Sequence, residues 1–443
     1  MPSPNVADIT KDALKNAIAD GITSFESEFG KSPSVFSRKS ELSKERVIDL
    51  LLGMTGGNLD KELYKAGVSS KRSAFSQRRN HISSLELEEI FERFNQSEAN
   101  IKTYKGYRVL AVDGTVVNMP RNPKSATFVQ NASAPKGYNQ FHVNPLYDVL
   151  NKTYQHVVIQ PQPKQDEIGA LRFMLDWYTF PAKTLIVADR GYESYNLIAH
   201  FLENKVDFLI RVKQDISAMR EIKKLPMTEL DKDISFTIST RQTKEAKENG
   251  YVIVQTRKHK DGNRVYSPNT KNKLWDYHSP YHMRFRVVRV LLDTGEYETL
   301  ITSLKRGSDG FSAAEIKELY HARWGIETAF RELKYSMGLV NLHSRKDEFV
   351  KQEIICNLLM SNFCSRIASQ VVIQKSEKAR YDHKVNMKMA IFLCKEYYLS
   401  DSTDGAKLMQ DIAKYTDAIR PGRADERNMK VKGFVGFTYR VAA

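Results

Sequence analysis

Three acidic residues occupy positions from which they could bind metal ions for phosphodiester chemistry. Asp113 and Asp189 each end an apolar, strand-like run and are followed by a turn glycine, and Glu327 lies in a later stretch of helical character. Because active sites of open α/β sheets collect at the carboxyl ends of strands, these side chains could converge at one sheet edge. Three carboxylates there suit two divalent cations about 4 Å apart, which favour phosphoryl transfer by water or a 3′-hydroxyl.

The oxygen-only composition of this set predicts its metal. Hard, octahedral Mg²⁺ or Mn²⁺, two ions per site, suits three carboxylates. For each aspartate alone a simpler explanation exists, an Asx turn that closes the loop after a strand. That explanation accounts for Asp113 and Asp189 separately, but it does not account for their occurrence together with Glu327.

The helical stretch YHARWGIETAFRELK, residues 320–334, groups its polar side chains. At about 100° per residue, Tyr320, Arg323, Glu327 and Lys334 share a narrow arc beside the apolar stripe, and Glu332 points to the opposite side. We expect Tyr320, Arg323 and Lys334 to contact DNA, with the two cations holding backbone phosphates. The alternative is an i,i+4 Arg–Glu pair on an ordinary amphipathic helix, worth about 0.3–0.5 kcal/mol.

Composition favours a polyanionic partner. The 443 residues carry 68 Lys and Arg against 53 Asp and Glu, a formal net charge of +15, so nucleic acid is the first candidate. The three cysteines, Cys356, Cys364 and Cys394, have no metal-ligand spacing and suit a reducing cytoplasm. Neither a signal peptide nor an apolar run long enough for a membrane span is apparent, so we expect a cytoplasmic, nucleoid-associated protein without a membrane partner.

The sequence pattern divides the chain into segments with different predicted secondary structure. Residues 1–103 read as helical, and within them 58–82 has the order helix, glycine turn, basic helix that is typical of a helix-turn-helix. The cations of that second helix are candidates for DNA contact: Lys71, Arg72, Arg78 and Arg79. The alternative is a helical hairpin with a solvated basic face.

The rest of the chain predicts an α/β core that is interrupted once. Residues 104–214 read as strand, hairpin, helix, strand, helix, strand, which indicates a mixed sheet, and 306–345 return to the core with the polar helix. The intervening 215–305 read as a β-rich insertion in which cations and aromatics alternate, a surface suited to distorted DNA or, alternatively, an exposed basic sheet face. Residues 346–443 read as helices followed by a basic tail.

At this point the sequence resembles a known family. Tyr320, Arg323, Glu327 and Lys334 match the YREK signature of bacterial insertion-sequence transposases of the DDE class in residue and spacing. DGT at Asp113 and ADRGY beginning at Ala188 resemble the first and second aspartate motifs of that family. The resemblance covers about residues 30–375.

The resemblance implies a fold and a reaction. It implies an RNase H-like catalytic core with a β-rich insertion, flanked by an all-α N-terminal domain and an α-helical C-terminal region. It implies cut-and-paste transposition, in which a homodimer bridges double-stranded DNA at the terminal inverted repeats, passes through a hairpin and joins 3′ ends to target DNA. It also implies that Arg211 contacts DNA and that an insertion aromatic, for which Trp275 is the candidate, stacks on a flipped base.

Two other readings use the same residues. An RNase H-like nuclease would use the carboxylates without strand transfer. A domesticated, non-catalytic DNA-binding protein would keep the fold alone. Inverted terminal repeats flanking the gene would favour a mobile element over both.

Overall fold

The N-terminal region is helical, as its composition predicts. The computed structural model describes residues 5–30, 36, 40–55, 57–98, 100–213, 219–254, 275–307, 309–342, 344–374 and 380–420. The first five helices are α1 (Val6–Phe29), α2 (Lys44–Gly53), α3 (Leu59–Lys65), α4 (Arg72–Arg79) and α5 (Ser84–Gln96). Four of them begin at an Asn or Ser whose side chain accepts a hydrogen bond from a backbone N–H of the first turn, which fixes where each helix starts.

A mixed sheet follows, and its strand order brings the predicted aspartate segments together. Its elements are β1 (Arg108–Val112), β2 (Thr115–Met119), β3 (Phe128–Asn131), β4 (Ala134–Asp148), β5 (Thr153–Pro161), α6 (Glu167–Trp177), β6 (Thr184–Ala188), α7 (Tyr195–Glu203) and β7 (Asp207–Arg211). The order is β5-β4-β1-β6-β7, antiparallel through β4 and parallel from β1 to β7. Both β1 and β2 pair with one edge of β4, so they form one long strand that bends at Asp113 and Gly114.

The predicted β-rich insertion continues the same sheet. Its described elements are α8 (Arg220–Lys223), β8 (Leu230–Ser239), α9 (Lys244–Glu248), β9 (Val252–Ile253), β10 (Tyr281–Leu291) and β11 (Tyr297–Thr302). Strand β11 pairs antiparallel with β7, and β10, β8 and β9 follow outward, which gives eleven strands in the described ranges. Core and insertion therefore share one hydrogen-bonded sheet.

The C-terminal half is again mostly helical. Its elements are α10 (Ala313–Ala322), α11 (Trp324–Arg331), α12 (Asp347–Ala368), β12 (His383–Val385), α13 (Met387–Leu399), α14 (Gly405–Lys414) and β13 (Thr416–Ala418). The stretch predicted as one helix, 312–336, is divided at Arg323 and ends in a π-helical turn, Glu332–Ser336. In that turn the backbone N–H of Met337 bonds to the carbonyl of Glu332, five residues back.

Apolar side chains pack both faces of the sheet. On β1, Leu110 and Val112 join the core under α6 and α7, whereas Val109 and Ala111 face the side covered by α10, α11 and α12. The N-terminal helices pack against α12 and α13 in the largest of these clusters. Within the described ranges, no helix combines the length and apolar character that a membrane crossing requires.

Candidate active site

Strand register brings Asp113 and Asp189 side by side. In the parallel pair β1–β6, Ala111 lies opposite Val187, so each aspartate follows its strand at the same level. Neighbouring strands lie about 4.8 Å apart. Because side chains alternate along a strand, both aspartates belong to the sheet face covered by α10 and α11, together with Ala111 and Val187.

Asp189 forms the Asx turn that the sequence allows, whereas Asp113 bonds to the backbone N–H of the residue directly after it, and both arrangements leave the site open. Oδ1 of Asp113 accepts the Gly114 N–H at 2.8 Å, and Oδ1 of Asp189 accepts the Gly191 N–H at 2.8 Å. Each bond fixes its carboxylate with one oxygen and leaves the other directed elsewhere. Both side chains stay partly exposed at the strand ends.

Arg323 connects the third carboxylate to the first. Its Nη1 lies 4.0 Å from Asp113 Oδ2 and its Nη2 lies 3.4 Å from Glu327 Oε1. Arg323 is only 6% exposed, and Tyr320 beside it is buried. The guanidinium therefore faces the carboxylates rather than solvent, and its contact with a backbone phosphate stays a prediction.

The electrostatics at the strand ends are unbalanced. The pKa of Asp113 is raised to about 6, chiefly by burial and also by the charges of Asp189 and Glu167, which together outweigh the lowering effect of the Gly114 N–H and Arg323. Ionising Asp113 therefore costs free energy in the protein without a bound cation. A site with this excess of negative charge attracts cations.

Sequence reasoning missed two residues beside Asp113. Glu167, in the first turn of α6, has Oε1 3.2 Å from Nε2 of His142 on β4. A Cβ at Gly114 would lie 2.7 Å from that Oε1 and would also collide with the His142 ring. No motif marks either residue, since the only signal is an acidic residue at the start of a helix.

The donor set fits a hard divalent cation. Across the described ranges, no three Asp, Glu, His or Cys side chains are already grouped around one metal position. Asp113, Asp189 and Glu327 nevertheless offer only carboxylate oxygens, which suit Mg²⁺ or Mn²⁺. The crowding of negative charge that raises the pKa of Asp113 is what such a cation would relieve.

The π-helical turn changes the predicted helical face. Lys334 lies inside the turn and is half-buried, so the angle derived from 100° per residue does not apply to it. Glu332, predicted to lie opposite Arg323, lines a cavity of about 510 Å³ that also includes Lys152 and Lys384. Its surroundings are therefore a pocket rather than open solvent.

Arg211 lies close to this helix. It ends β7 opposite Leu300, and its Nε is 3.5 Å from Glu298 Oε1. Its positive charge also acts on the hydroxyl of Tyr320. Since the Arg211 side chain remains partly exposed, its contact with DNA stays a prediction.

Trp275, the predicted stacking residue, is buried in the described structure. It is 6% exposed, and its ring packs edge-on against Tyr277 and Tyr281. Its Nε1–H donates to the carbonyl of His278 at 3.1 Å. The indole thus lies in the core under the sheet in the DNA-free chain, and its stacking on a flipped base stays a prediction.

The predicted N-terminal cations fall into two groups. Arg79 is 3% exposed and bonds to Gln352 and Glu353 of α12, so in the DNA-free chain it is held by the helical core, and its contact with DNA stays a prediction. Arg78 donates to the Leu42 carbonyl at 2.7 Å. Lys71 and Arg72, at the start of α4, are exposed.

The cations of the insertion divide in a similar way. Those from Arg257 to Lys273 lie outside the described residues. On β10, Arg286 and Arg289 are buried, whereas Arg284 is exposed. The basic composition therefore overstates how many arginines face outward.

Comparison with known proteins gives the chain a family. The family model described as "Transposase DDE domain" matches residues 104–363. The putative transposase InsL for insertion sequence element IS186A of Escherichia coli (strain K12) is 37% identical over 75 residues, 17% of this chain and 20% of that protein. The transposase for insertion sequence element IS421 of Escherichia coli has the same identity and coverage.

The chain thus matches only a fifth of the length of these curated relatives. A solved piggyBac transposase synaptic complex with hairpin DNA aligns over 95% of this chain and 87% of that one, with a TM-score of 0.43 and 11% identity. The family match spans more than half of the chain and includes Asp113, Asp189 and Glu327. The chain therefore belongs to the family of proteins with a transposase DDE domain.

Proposed function

We propose that this protein is a DNA transposase that cuts a transposable element at its ends and joins the 3′ ends to target DNA. The observation that carries the proposal is the in-register pair Asp113 and Asp189, with Arg323 lying between Asp113 and Glu327. The family to which the chain belongs and the insertion-sequence transposases among its relatives support the same reaction.

The topology of the sheet supports an RNase H-like core. The order β5-β4-β1-β6-β7, antiparallel on one side of β1 and parallel on the other, resembles the arrangement implied by the sequence motifs. In this arrangement the central strands supply both aspartates, and a helix packed on one face supplies the glutamate. The proposal thus places all three carboxylates at one sheet edge.

The side chains have separate roles in the proposed reaction. Asp113, Asp189 and Glu327 would hold the divalent cations, and Arg323 orients two of these carboxylates. When bound, Mg²⁺ or Mn²⁺ supplies Lewis-acid stabilisation of charge on the phosphodiester oxygens. In each step an oxygen nucleophile, water or a 3′-hydroxyl, forms the new P–O bond while the opposite P–O bond breaks in line.

The proposed partners are two DNA ends and a second copy of the chain. The net charge of +15 and the exposed cations Lys71, Arg72 and Arg284 suit a phosphate backbone. A hairpin intermediate and a synaptic homodimer are part of the proposal because the YREK motif resembles that of cut-and-paste enzymes. Neither follows from the geometry of one chain.

An end-labelled cleavage assay tests the reaction. The substrate is duplex DNA carrying the sequences that flank the gene, incubated with Mg²⁺ and either the wild type or Glu327→Ala. We expect a cleaved 3′ end and a hairpin product with the wild type and neither with the variant. Both proteins should retard the DNA equally in a gel.

Other outcomes separate the alternatives. Cleavage without a hairpin or joined product would favour a nuclease, and binding without cleavage by the wild type would favour a DNA-binding protein. Normal cleavage by Glu327→Ala would contradict the assignment of that carboxylate.

A further inference from the structure

The site receives a carboxylate from the second face of the sheet. Glu327 approaches the strand ends on the side of α11, whereas Glu167 approaches from the start of α6, on the opposite side. Its Oε1 stands 2.7 Å from the position that a Cβ of Gly114 would occupy, immediately after Asp113. Its charge reaches Asp113 and raises the pKa of that carboxyl.

A buried histidine fixes Glu167 in this position. The His142 side chain is 4% exposed, and its Nε2 lies 3.2 Å from Glu167 Oε1. Gln165 Nε2 also donates to Glu167 Oε1, at 3.4 Å, and the Glu167 side chain is 29% exposed, so the carboxylate is held in place yet still reaches solvent. Asp166 caps the helix by accepting the Gly169 N–H at 3.0 Å, which fixes the turn that carries Glu167.

A second observation points to a missing ligand at the same place. The hydroxyl of Tyr192 is buried, and in the described part of the chain it has no hydrogen-bond partner. The negative charges that act on it are those of Glu167, Asp113 and Asp189. Because a buried, unsatisfied hydroxyl costs about 1–3 kcal/mol, some group is expected to complete this site.

We propose that Glu167 is a fourth carboxylate of the active site and binds a divalent cation together with Asp113. This inference rests on the proposed function, since it assigns one more ligand to the same metal site. It explains why Gly114 has no side chain, since a Cβ there would displace Glu167 and His142. A hydrated cation at this place would also supply the Tyr192 hydroxyl with a hydrogen-bond donor.

A purely structural His–Glu pair on the neighbouring strand provides a matched control. His156 of β5 has Nδ1 2.8 Å from Glu92 Oε1, and the two glutamates are similarly exposed. The His156 ring stacks on Tyr178 with the centroids 3.9 Å apart, away from the aspartates. Glu92→Gln therefore perturbs a comparable pair without touching the proposed site.

Binding of Mn²⁺ to the full chain without DNA tests the proposal independently of catalysis. The loss of the electron paramagnetic resonance signal of free Mn²⁺ is measured for the wild type, Glu167→Gln, Glu92→Gln and Asp113→Asn. We expect Glu167→Gln to weaken binding on the order of tenfold or more, Glu92→Gln to leave it unchanged and Asp113→Asn to abolish it. Glu167→Asp, which keeps the charge, should recover part of the affinity and shows that folding is intact.

The outcomes distinguish the two proposals. If Glu167→Gln binds Mn²⁺ as Glu92→Gln does while Asp113→Asn loses binding, Glu167 only supports His142 and the inference is wrong, but the proposed function stands. If the wild type and Asp113→Asn bind alike, the cation is not held at Asp113 and both proposals fail.

Discussion

The two halves of the large sheet treat charge in opposite ways. In the half formed by β1 to β7, Asp113 and Asp189 stand side by side, and burial raises the pKa of Asp113 to about 6. In the half formed by β8 to β11, Arg286 is buried but bonds to both oxygens of Asp231 at 2.7 Å. The buried ion pair of Arg286 and Asp231 thus stabilises the fold. The two like-charged aspartates at the strand ends instead indicate a functional site.

The largest effect on DNA cleavage is expected from a substitution of Asp189, one of the two carboxylates at the strand ends. Asp189→Asn should lower DNA cleavage on the order of 1000-fold, because it removes one cation ligand without changing the size of the side chain. Single-turnover cleavage measures this loss, and unchanged DNA binding in a gel-shift assay serves as the control. Cleavage within a few fold of the wild type would show that Asp189 is not a cation ligand.

The matched charge should matter for stability instead. Arg286→Ala is expected to lower the free energy of unfolding by about 3 kcal/mol, because it leaves buried carbonyls and Asp231 without their partner. Arg284→Ala, two residues away and exposed, should change it by less than about 0.5 kcal/mol. Urea unfolding measures both, and equal effects would show that burial does not distinguish these arginines.

The raised pKa of Asp113 predicts how a substitution there changes the free energy of unfolding with pH. Since the folded-state pKa of Asp113 is raised to about 6, its stabilising contribution is present below about pH 4 and is lost as pH rises through 6. Asp113→Asn should therefore stabilise the cation-free protein by up to about 2–3 kcal/mol at pH 7–8, and the gain should vanish towards pH 4.

Asp276, in the segment before β10, provides the opposite case. The hydrogen bond from His200 lowers the pKa of Asp276 to about 2, so Asp276→Asn should destabilise the protein at neutral pH. Thermal unfolding with and without Mn²⁺ measures both variants. The same sign for Asp113→Asn and Asp276→Asn would remove the distinction between strained and satisfied carboxylates.

The smallest effect on cleavage is expected at Glu332. This residue lies on the far side of the helix from Arg323, in the cavity with Lys152 and Lys384, and burial raises its pKa. Glu332→Gln should leave cleavage nearly unchanged, because the glutamate does not face the aspartates. An inactive but folded variant would show that the cavity and the site are coupled through the π-helical turn.

The strand ends could be predicted because their signals are local. The apolar runs before Asp113 and Asp189 are followed by Gly114 and by the segment that contains Gly191, and the structure places strands and turns there. Period-two alternation then determines the face on which each aspartate lies. Glu327 is separated from the neighbouring Glu332 by its place on the polar arc of the helix, and the resemblance to a family then supports its assignment.

The remaining features depend on contacts that no local pattern contains. Trp275 and Arg79 look suited to DNA in sequence, yet Arg79 is buried against α12 and Trp275 lies in the apolar cluster that includes α6 and α7. Glu167 and His142 meet only because β4 and the start of α6 pack together. Lys334 escapes a helical-wheel prediction because the π-helical turn adds a residue.

The in-register strands β1 and β6 determine more than the position of two ligands. The distance between Asp113 and Asp189 is set by the pairing of Leu110 and Ala111 with their partners on β6. It does not depend on the number of residues between the two aspartates. Segments could be inserted between α6 and β6, or lost, without moving the pair. A relative could thus have very different spacing between its aspartates and the same site, and strand endings would identify it where a fixed-interval motif would not.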